Sequence, residues 1–153
     1  EHVIQKAVEI GVHDIILIDS ERSIGKIPSS RLKSRLDRFN KIIKSAAMQS
    51  KRNYIPTISG PFPFKEVIEL KYDTKIIAHE KGSIPFNEVL NKGFKENLLI
   101  LVGPEGGFSA DEVLGAQRNG FTVITFGDNV LRSETAALYA VSVLHHYQKG
   151  AVQ

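Results

Sequence analysis

The stretch of residues 98–112 constrains the fold of this chain more than any other. Five apolar residues, Leu98–Val102, follow one another without a polar break, which is typical of a strand buried on both faces in a helix-covered parallel sheet. The glycine-rich residues 103–107 then indicate a loop. Ser109 and Glu112 have the spacing of a capping box, which marks the start of a helix. The stretch therefore predicts a strand, a bare loop and a capped helix.

The loop of this stretch is open to a ligand. Gly106 and Gly107 have no Cβ, so a ligand can approach the backbone closely, and ligands of open α/β sheets bind beyond the carboxyl ends of the strands. The loop matches neither the phosphate-loop nor the dinucleotide fingerprint. Asp111 and Glu112 in the first helical turn also disfavour a phosphate, which predicts a neutral or cationic ligand. Ordinary helix-dipole chemistry remains the alternative explanation of these two carboxylates.

A second stretch, residues 122–137, has the same construction. A strand at 123–126 is followed by a turn at 127–129 and by a helix that begins at Ser133 and runs to about Lys149. Two strand–loop–helix junctions of this kind can form two walls of one pocket.

The remaining patterns predict more elements of the same α/β kind. Helices are expected at 3–10, from Ser29 or Ser30 (as N-cap) to about 49, and at 64–70, 87–91 and 109–118. Strands are expected at 14–19, 54–58 and 74–78, and the sequence G-P-F-P at 60–63 indicates a loop. At 153 residues, the chain has the size of one domain.

Composition excludes several kinds of site. The chain has no cysteine, which rules out disulfides, cysteine-ligated zinc and a cysteine nucleophile, and favours a cytoplasmic protein. The five histidines lack the H-x-x-x-H spacing, so we expect no metal site. No apolar run approaches the ~20 residues that span a membrane, so we expect no membrane partner.

The positive charge is concentrated between Arg31 and Arg52. Eight basic residues stand there against Asp37 alone, so this segment carries +7 and the rest of the chain −4. A basic segment on an otherwise acidic domain indicates a polyanion partner. The alternatives are a solvated helix face and, for Lys51 and Arg52, ordinary partners of a helix C-terminus.

The predicted last helix is apolar on almost every side. Its residues 136–144 leave nearly no polar stripe, so most of its surface must be covered. In a chain of this length, we expect a second subunit to supply part of that cover.

Three other side chains need an explanation. Arg132 lies between an apolar residue and a predicted N-cap, where it serves either a ligand or a structural ion pair with Glu105 or Glu134. His79 ends a strand, where a hydrogen-bonded structural histidine is the simpler interpretation. His145 and His146, late in the last helix, are expected at the surface.

Five motifs follow one another along the chain: Q-K-A-V-E-I-G-V at 5–12, E-R-S at 21–23, S-A-A-M-Q-S-K-R at 45–52, G-P-E-G-G-F-S-x-x-E-V at 103–113 and L-R-S-E-T-A at 131–136. Together they resemble the RsmE family, whose members methylate N3 of a uridine in 16S ribosomal RNA with S-adenosylmethionine. The resemblance covers essentially the whole chain.

The resemblance implies a SPOUT fold, a parallel α/β sheet whose C-terminal segment forms a trefoil knot, and a homodimer. It implies that residues 1–153 are the catalytic domain, without the PUA-like barrel that precedes it in the family. The family commonly has arginine at the place of Asn129, so an anion or substrate contact there is in question.

The resemblance also implies a set of site residues. S-adenosylmethionine would contact His79, Glu80, Val102, Gly103, Pro104, Gly106, Gly107, Phe126, Gly127, Val130 and Leu131. The basic segment predicts RNA contacts for Arg35 and Arg38, and the family-like motif near its end adds Gln49 and Arg52.

For catalysis, Glu105 and Glu134 are the candidate proton acceptors, and Arg132 is the candidate for stabilising the uracil anion. Methylation at a ring nitrogen needs no cysteine adduct, which agrees with the composition. The rival interpretations are a catalytically silent RNA-binding or dimerisation module of the same fold, and an unrelated nucleotide-binding α/β protein.

Overall fold

The computed structural model describes residues 1–95 and 97–150 and has the predicted α/β composition. The elements follow in the order α1 (His2–Ile10), β1 (Asp14–Asp19), α2 (Ser29–Gln49), β2 (Thr57–Pro63), α3 (Phe64–Ile68), β3 (Thr74–Ala78), β4 (Ile84–Pro85), α4 (Phe86–Asn91), β5 (Leu98–Val102), α5 (Ala110–Arg118), β6 (Thr122–Thr125) and α6 (Ser133–Gly150). They fall into two compact units, which comprise residues 1–18, 25–62 and 137–150, and residues 19–24 and 63–136.

The second unit is built on a four-stranded sheet with the order β4-β6-β3-β5. All of its pairs are parallel, and the central strand β3 places Ile76 opposite Ile100 of β5 and Thr122 of β6. The carboxyl ends of β6, β3 and β5 therefore lie side by side at one edge. This is the arrangement that the two strand–loop–helix stretches predict.

The core of this unit contains Ile76, Ile77, Leu101 and Ile124, none of which is more than 2% exposed. Strand β5 differs from its prediction, because it alternates buried residues with half-buried ones instead of burying both faces. The predicted capping box is confirmed: Ser109 caps α5 and Glu112 reaches back to its amide. Helix α3 ends at Ile68 instead of residue 70 because the backbone turns at Glu69.

The first unit is organised around the packing of α1 on α2. Their apolar faces share a core, to which α1 contributes Ile4 and Val8 and α2 contributes Phe39 and Ile43. The spacing of these side chains is helical in both elements, so one face of each helix is buried and the other is solvated. Strands β1 and β2 form a separate two-stranded sheet.

Several local predictions for this unit are wrong. The second strand runs from Thr57 to Pro63 instead of 54–58, so the predicted loop at 60–63 is part of it. Proline is compatible with a strand at a sheet edge, and a two-stranded sheet consists only of edges. Strand β1 is half-buried with Asp14 exposed, not fully buried. The N-cap of α2 is Pro28 and makes no side-chain cap, so Ser29 and Ser30 belong to the helix.

Arg52 has a structural role at the end of α1, and not at the end of α2, the helix it follows in sequence. Its guanidinium donates to the carbonyl oxygens of Val8 at 2.9 Å, Val12 at 2.7 Å and Gly11 at 3.3 Å. These carbonyls lie at the end of α1, where no intrahelical amide can reach them. Burial lowers the pKa of the Arg52 guanidinium from its ordinary value. Arg52 therefore caps α1, and its predicted RNA contact stays a prediction.

Helix α6 begins at Ser133 as predicted. In the first unit, its Ala140 and Leu144 are buried, whereas Tyr139 is 43% exposed. His145 is half-buried, with its ring close to Gly11, on which a Cβ atom would lie 2.5 Å from the His145 Nδ1, whereas His146 is exposed as predicted. Among the residues that the structure describes, no helix combines the length and the apolar composition that crossing a membrane requires.

Candidate functional site

The carboxyl ends of β3, β5 and β6 surround a pocket of about 530 Å³ in the second unit. This volume is within the range of sites that bind cofactors and other small molecules. All eleven predicted cofactor residues and all three predicted catalytic residues line the pocket. The other lining residues are Arg22, Ala78, Phe108, Thr125, Asp128, Asn129, Ser133 and Ala136. The structure thus brings the candidates together, and their contacts with a ligand stay predictions.

The first wall is the turn after β3, which His79 holds in place. The His79 amide donates to the Ile124 carbonyl at 2.9 Å, and the Gly82 amide donates to the His79 carbonyl at 2.9 Å. The ring Nδ1 of His79 accepts the Lys81 amide at 3.2 Å. These bonds give His79 the structural role that its position suggested, at a place where it also faces the pocket.

The second wall is the glycine loop, which closes as a tight turn. The Gly107 amide donates to the Pro104 carbonyl at 2.8 Å, and Gly107 has a φ of 66°, which favours glycine. A Cβ atom on Gly107 would meet nothing within 4 Å, whereas one on Gly106 would lie 3.1 Å from the Cβ of Arg22. Gly107 therefore offers the open backbone approach that was predicted, and Gly106 instead makes room for a neighbouring side chain.

The third wall is the segment between β6 and α6. Its turn is closed by Thr125, whose Oγ1 donates to the Gly127 carbonyl at 3.1 Å and accepts the Gly127 amide at 3.2 Å. Phe126 makes an edge-on contact with Phe86, with ring centroids 5.4 Å apart. Val130 is 78% exposed. This wall contributes apolar surface to the pocket.

Arg22 also lines the pocket, although the sequence predicted no ligand contact for it. Its Nη1 donates to the Gly106 carbonyl at 3.1 Å, although 84 positions separate the two residues. The signal was present, because the motif E-R-S at 21–23 contributed to the family resemblance. No spacing argument connects this segment with the glycine loop, so its place at the pocket could not be derived.

Charged side chains at the pocket are exposed and mostly acidic. The lining includes two guanidinium groups, of Arg22 and Arg132. It also includes four carboxylates, those of Glu80, Glu105, Asp128 and Glu134. This balance favours a ligand with positive charge.

The guanidinium of Arg132 has no ion pair or hydrogen bond within the described part of the chain. The alternative of a structural ion pair with Glu105 or Glu134 is therefore not realised. In residues 1–95 and 97–150, no cluster of histidine and carboxylate side chains could hold a metal ion.

The predicted RNA-binding residues belong to the first unit. Glu1 pairs with Arg38 at 2.7 Å (Nε to Oε1) and with Arg35 at 3.9 Å (Nη1 to Oε1). Gln49 is exposed at the end of α2. The side chains of Arg35 and Arg38 are thus on the exposed helix face, as predicted, but they share a carboxylate partner.

Comparison with known proteins identifies relatives over nearly the whole chain. The family model described as an RNA methyltransferase domain matches residues 1–145. The ribosomal RNA small subunit methyltransferase E of Mesomycoplasma hyopneumoniae is 39% identical over 144 residues, which are 93% of this chain and 62% of that protein. The protein of the same name from Bacillus subtilis is 32% identical, over 95% of this chain and 60% of its own length.

A solved structure is similar in fold as well. The ribosomal RNA small subunit methyltransferase E of Neisseria gonorrhoeae, bound to S-adenosyl methionine, superposes with a TM-score of 0.85. It is 32% identical, over 94% of this chain and 59% of that one. The chain spans about three fifths of the length of these relatives.

Proposed function

Because this chain belongs to the RNA methyltransferase domain family, as its motifs predicted, we propose that it methylates N3 of a uridine in small-subunit ribosomal RNA with S-adenosylmethionine. The observation that carries this proposal is the convergence of fourteen residues, chosen from the sequence, on one pocket. The names and the bound cofactor of the relatives support the same assignment.

The size and the charge of the pocket suit S-adenosylmethionine. Its backbone loops lack a phosphate-binding pattern, which is what a cofactor without phosphate requires. Phe126 and Leu131 supply apolar surface for the adenine, and the acidic lining suits the positive charges of the sulfonium and the ammonium group. Arg22 is available as a partner for the carboxylate of the methionine part, and Arg132 for the anionic substrate.

The chain has three tasks in the reaction. S-adenosylmethionine, when bound, supplies a methyl group that is already activated by its sulfonium. The pocket has to align the uridine N3 with that methyl group, and a carboxylate, Glu105 or Glu134, accepts the N3 proton. Arg132 stabilises the negative charge that develops on the uracil ring. Its guanidinium is exposed and unpaired in the described part of the chain, so it is available for this role.

A titration with S-adenosylmethionine tests the proposal against its rivals. We expect saturable binding that neither ATP nor NAD competes with, and methyl transfer from labelled cofactor to small ribosomal subunits. Competition by ATP or NAD would favour an unrelated nucleotide-binding protein. Binding without any transfer would favour a catalytically silent module.

We also propose a SPOUT trefoil knot, a homodimer and a cytoplasmic location for this chain. The position of β6 between β3 and β4 supports the knot, because the last strand enters the sheet between earlier ones. The homodimer is supported by α6, whose Tyr139 is exposed and whose Val141 and Val143 are only half-buried. Sedimentation at micromolar concentration tests the dimer, and a monomer would contradict it.

A further inference from the structure

The carboxylate of Glu112 holds two backbone amides at once. Its Oε2 accepts the amide of Ser109 at 2.9 Å, which is the capping-box bond. Its Oε1 accepts the amide of Glu21 at 2.8 Å, from a residue 91 positions earlier in the chain. Hydrogen bonds to an ionised carboxylate are stronger than bonds between neutral groups. The first turn of α5 is therefore tied to the loop that follows β1.

This tie fixes the residue that reaches the pocket. Glu21 directly precedes Arg22, whose Nη1 donates to the Gly106 carbonyl at 3.1 Å. Arg22 and Gly106 also pack closely, since a Cβ atom on Gly106 would be 3.1 Å from the Cβ of Arg22. The E-R-S loop, residues 21–23, thus contacts the pocket through Arg22 and the Glu112 carboxylate through the Glu21 amide.

Besides these contacts, hydrogen bonds between Ser20 and Ser23 hold the loop. Ser20 is 3% exposed, its amide donates to the Ser23 hydroxyl at 3.3 Å, and the two hydroxyl oxygens lie 2.8 Å apart. A turn between Ser20 and Ser23 closes it, with the Ser23 amide 3.1 Å from the Ser20 carbonyl. The next side chain, Ile24, is 84% exposed and adds no apolar anchor. A segment with few buried contacts depends on its polar bonds for its position.

We propose that Glu112 is a positioning residue: by accepting the Glu21 amide, it holds Arg22 against the glycine loop at the pocket rim. The proposal rests on the proposed function, because it takes S-adenosylmethionine as the ligand whose affinity depends on the contact between Arg22 and the glycine loop. Glu112 itself does not line the pocket, so its influence on the ligand passes through Arg22.

The test replaces Glu112 with glutamine. The new side chain would keep one carbonyl oxygen for the capping box, which tolerates glutamine, but its amide nitrogen cannot accept a hydrogen bond. We expect the Glu21 amide of Glu112→Gln to exchange hydrogen about tenfold faster, as the loss of one such bond implies. The affinity for S-adenosylmethionine should fall by about fivefold to tenfold. The double variant with Arg22→Ala should bind no more weakly than Arg22→Ala alone.

Ser109→Ala is the matched control, because it removes the other half of the capping box. It loses the bond from the Glu112 amide to the Ser109 hydroxyl, 3.3 Å long, and keeps both carboxylate bonds. It should lower the melting temperature but leave the hydrogen exchange of the Glu21 amide and the cofactor affinity unchanged.

Three results would overturn the proposal. The first is a Glu21 amide that exchanges hydrogen in Glu112→Gln as slowly as in the wild type. The second is a double variant whose loss of cofactor affinity is the product of the losses in the two single variants. The third is a Ser109→Ala variant that loses as much cofactor affinity as Glu112→Gln. Hydrogen exchange of the Glu21 amide is measured without a ligand, so it tests the bond between this amide and the Glu112 carboxylate by itself. A wild-type chain that does not bind S-adenosylmethionine would overturn the proposed function, and the exchange result would still stand.

Discussion

Gly82 lies so close to the backbone of Ile124 that a Cβ atom on it would be 2.4 Å from both the carbonyl carbon and the carbonyl oxygen. The same carbonyl oxygen accepts the His79 amide at 2.9 Å. The turn after β3 is therefore fitted onto β6 with no space for a side chain. This contact positions His79 and Glu80 at the pocket, although Gly82 itself is not a lining residue.

Gly82→Ala should damage both stability and cofactor binding. The new methyl group meets backbone atoms that cannot rotate away, so the turn has to shift, at a cost of about 1–3 kcal/mol. Thermal melts and an S-adenosylmethionine titration measure the two effects. Gly25→Ala is the control, because its Cβ would meet nothing within 4 Å. Wild-type affinity in Gly82→Ala would show that the fit of the turn is unimportant for binding.

Gly107→Val should abolish the binding of S-adenosylmethionine. Space around the Gly107 Cβ position is open at the pocket, and valine would occupy it. Gly120→Val is a matched control: Gly120 has a φ of 84° against 66° for Gly107, so both variants incur about 1–2 kcal/mol of backbone strain. Gly120 does not line the pocket. Undiminished affinity in a folded Gly107→Val protein would contradict the proposed site.

Arg52→Ala should destabilise the chain by about 2–3 kcal/mol, because the loss of a charged donor leaves several carbonyls at the end of α1 without a partner. Arg52→Lys should recover only part of the loss, since an ammonium group cannot reproduce the planar fork. The measurement is denaturant unfolding. Arg31→Ala, which removes an exposed arginine of α2, should change stability by less than about 0.5 kcal/mol. Equal stability of the Arg52 and Arg31 variants would refute the capping role.

Much of the second unit was predictable because its signals are local. The bounds of β3 and β5 agree with the predicted ones, and in β5 an uninterrupted apolar run ends where the strand ends. The capping box was also predictable, because Ser109 and Glu112 lie within one helical turn.

Several of the failures involve contacts between residues distant in sequence. Glu112 meets Glu21 across 91 positions, and Arg52 meets Val8 across 44. No periodicity encodes such pairs. The strand at Thr57–Pro63 was missed because its glycine and prolines indicate a loop, whereas pairing with β1 decides its conformation. Tertiary context overrides local preference in such cases.

The basic face of α2 should contribute to RNA binding mainly through lysines. Lys41 and Lys44 are exposed and form no ion pair within the described residues, whereas Arg35 and Arg38 share Glu1. Changing both lysines to glutamine should lower the salt slope of single-stranded RNA binding by about 1.4, or about 0.7 per phosphate contact.

The matched double change of Arg35 and Arg38 should lower the slope less, because Glu1 already offsets one of the two charges. Binding isotherms over a range of salt concentrations give both slopes. If neither double variant alters the slope, this face is only a solvated helix surface.

Arg132→Ala should lose turnover while it keeps stability and most of the cofactor affinity. Its guanidinium is exposed and has no partner in the described part of the chain, so its removal should change the free energy of unfolding by less than about 0.5 kcal/mol. If it stabilises the uracil anion, the rate should fall roughly 100-fold, as for the loss of one such donor in other enzymes. Arg132→Lys should restore part of the rate.

The measurement combines methyl transfer from labelled S-adenosylmethionine to small ribosomal subunits with a cofactor titration and a melt of each variant. Arg118→Ala is the control, since Arg118 is an exposed arginine of α5 that does not line the pocket. A structural arginine would instead lose stability, cofactor affinity and turnover together. Full activity in a stable Arg132→Ala protein would remove Arg132 from the mechanism and leave the alignment of N3 and the two carboxylates to account for catalysis.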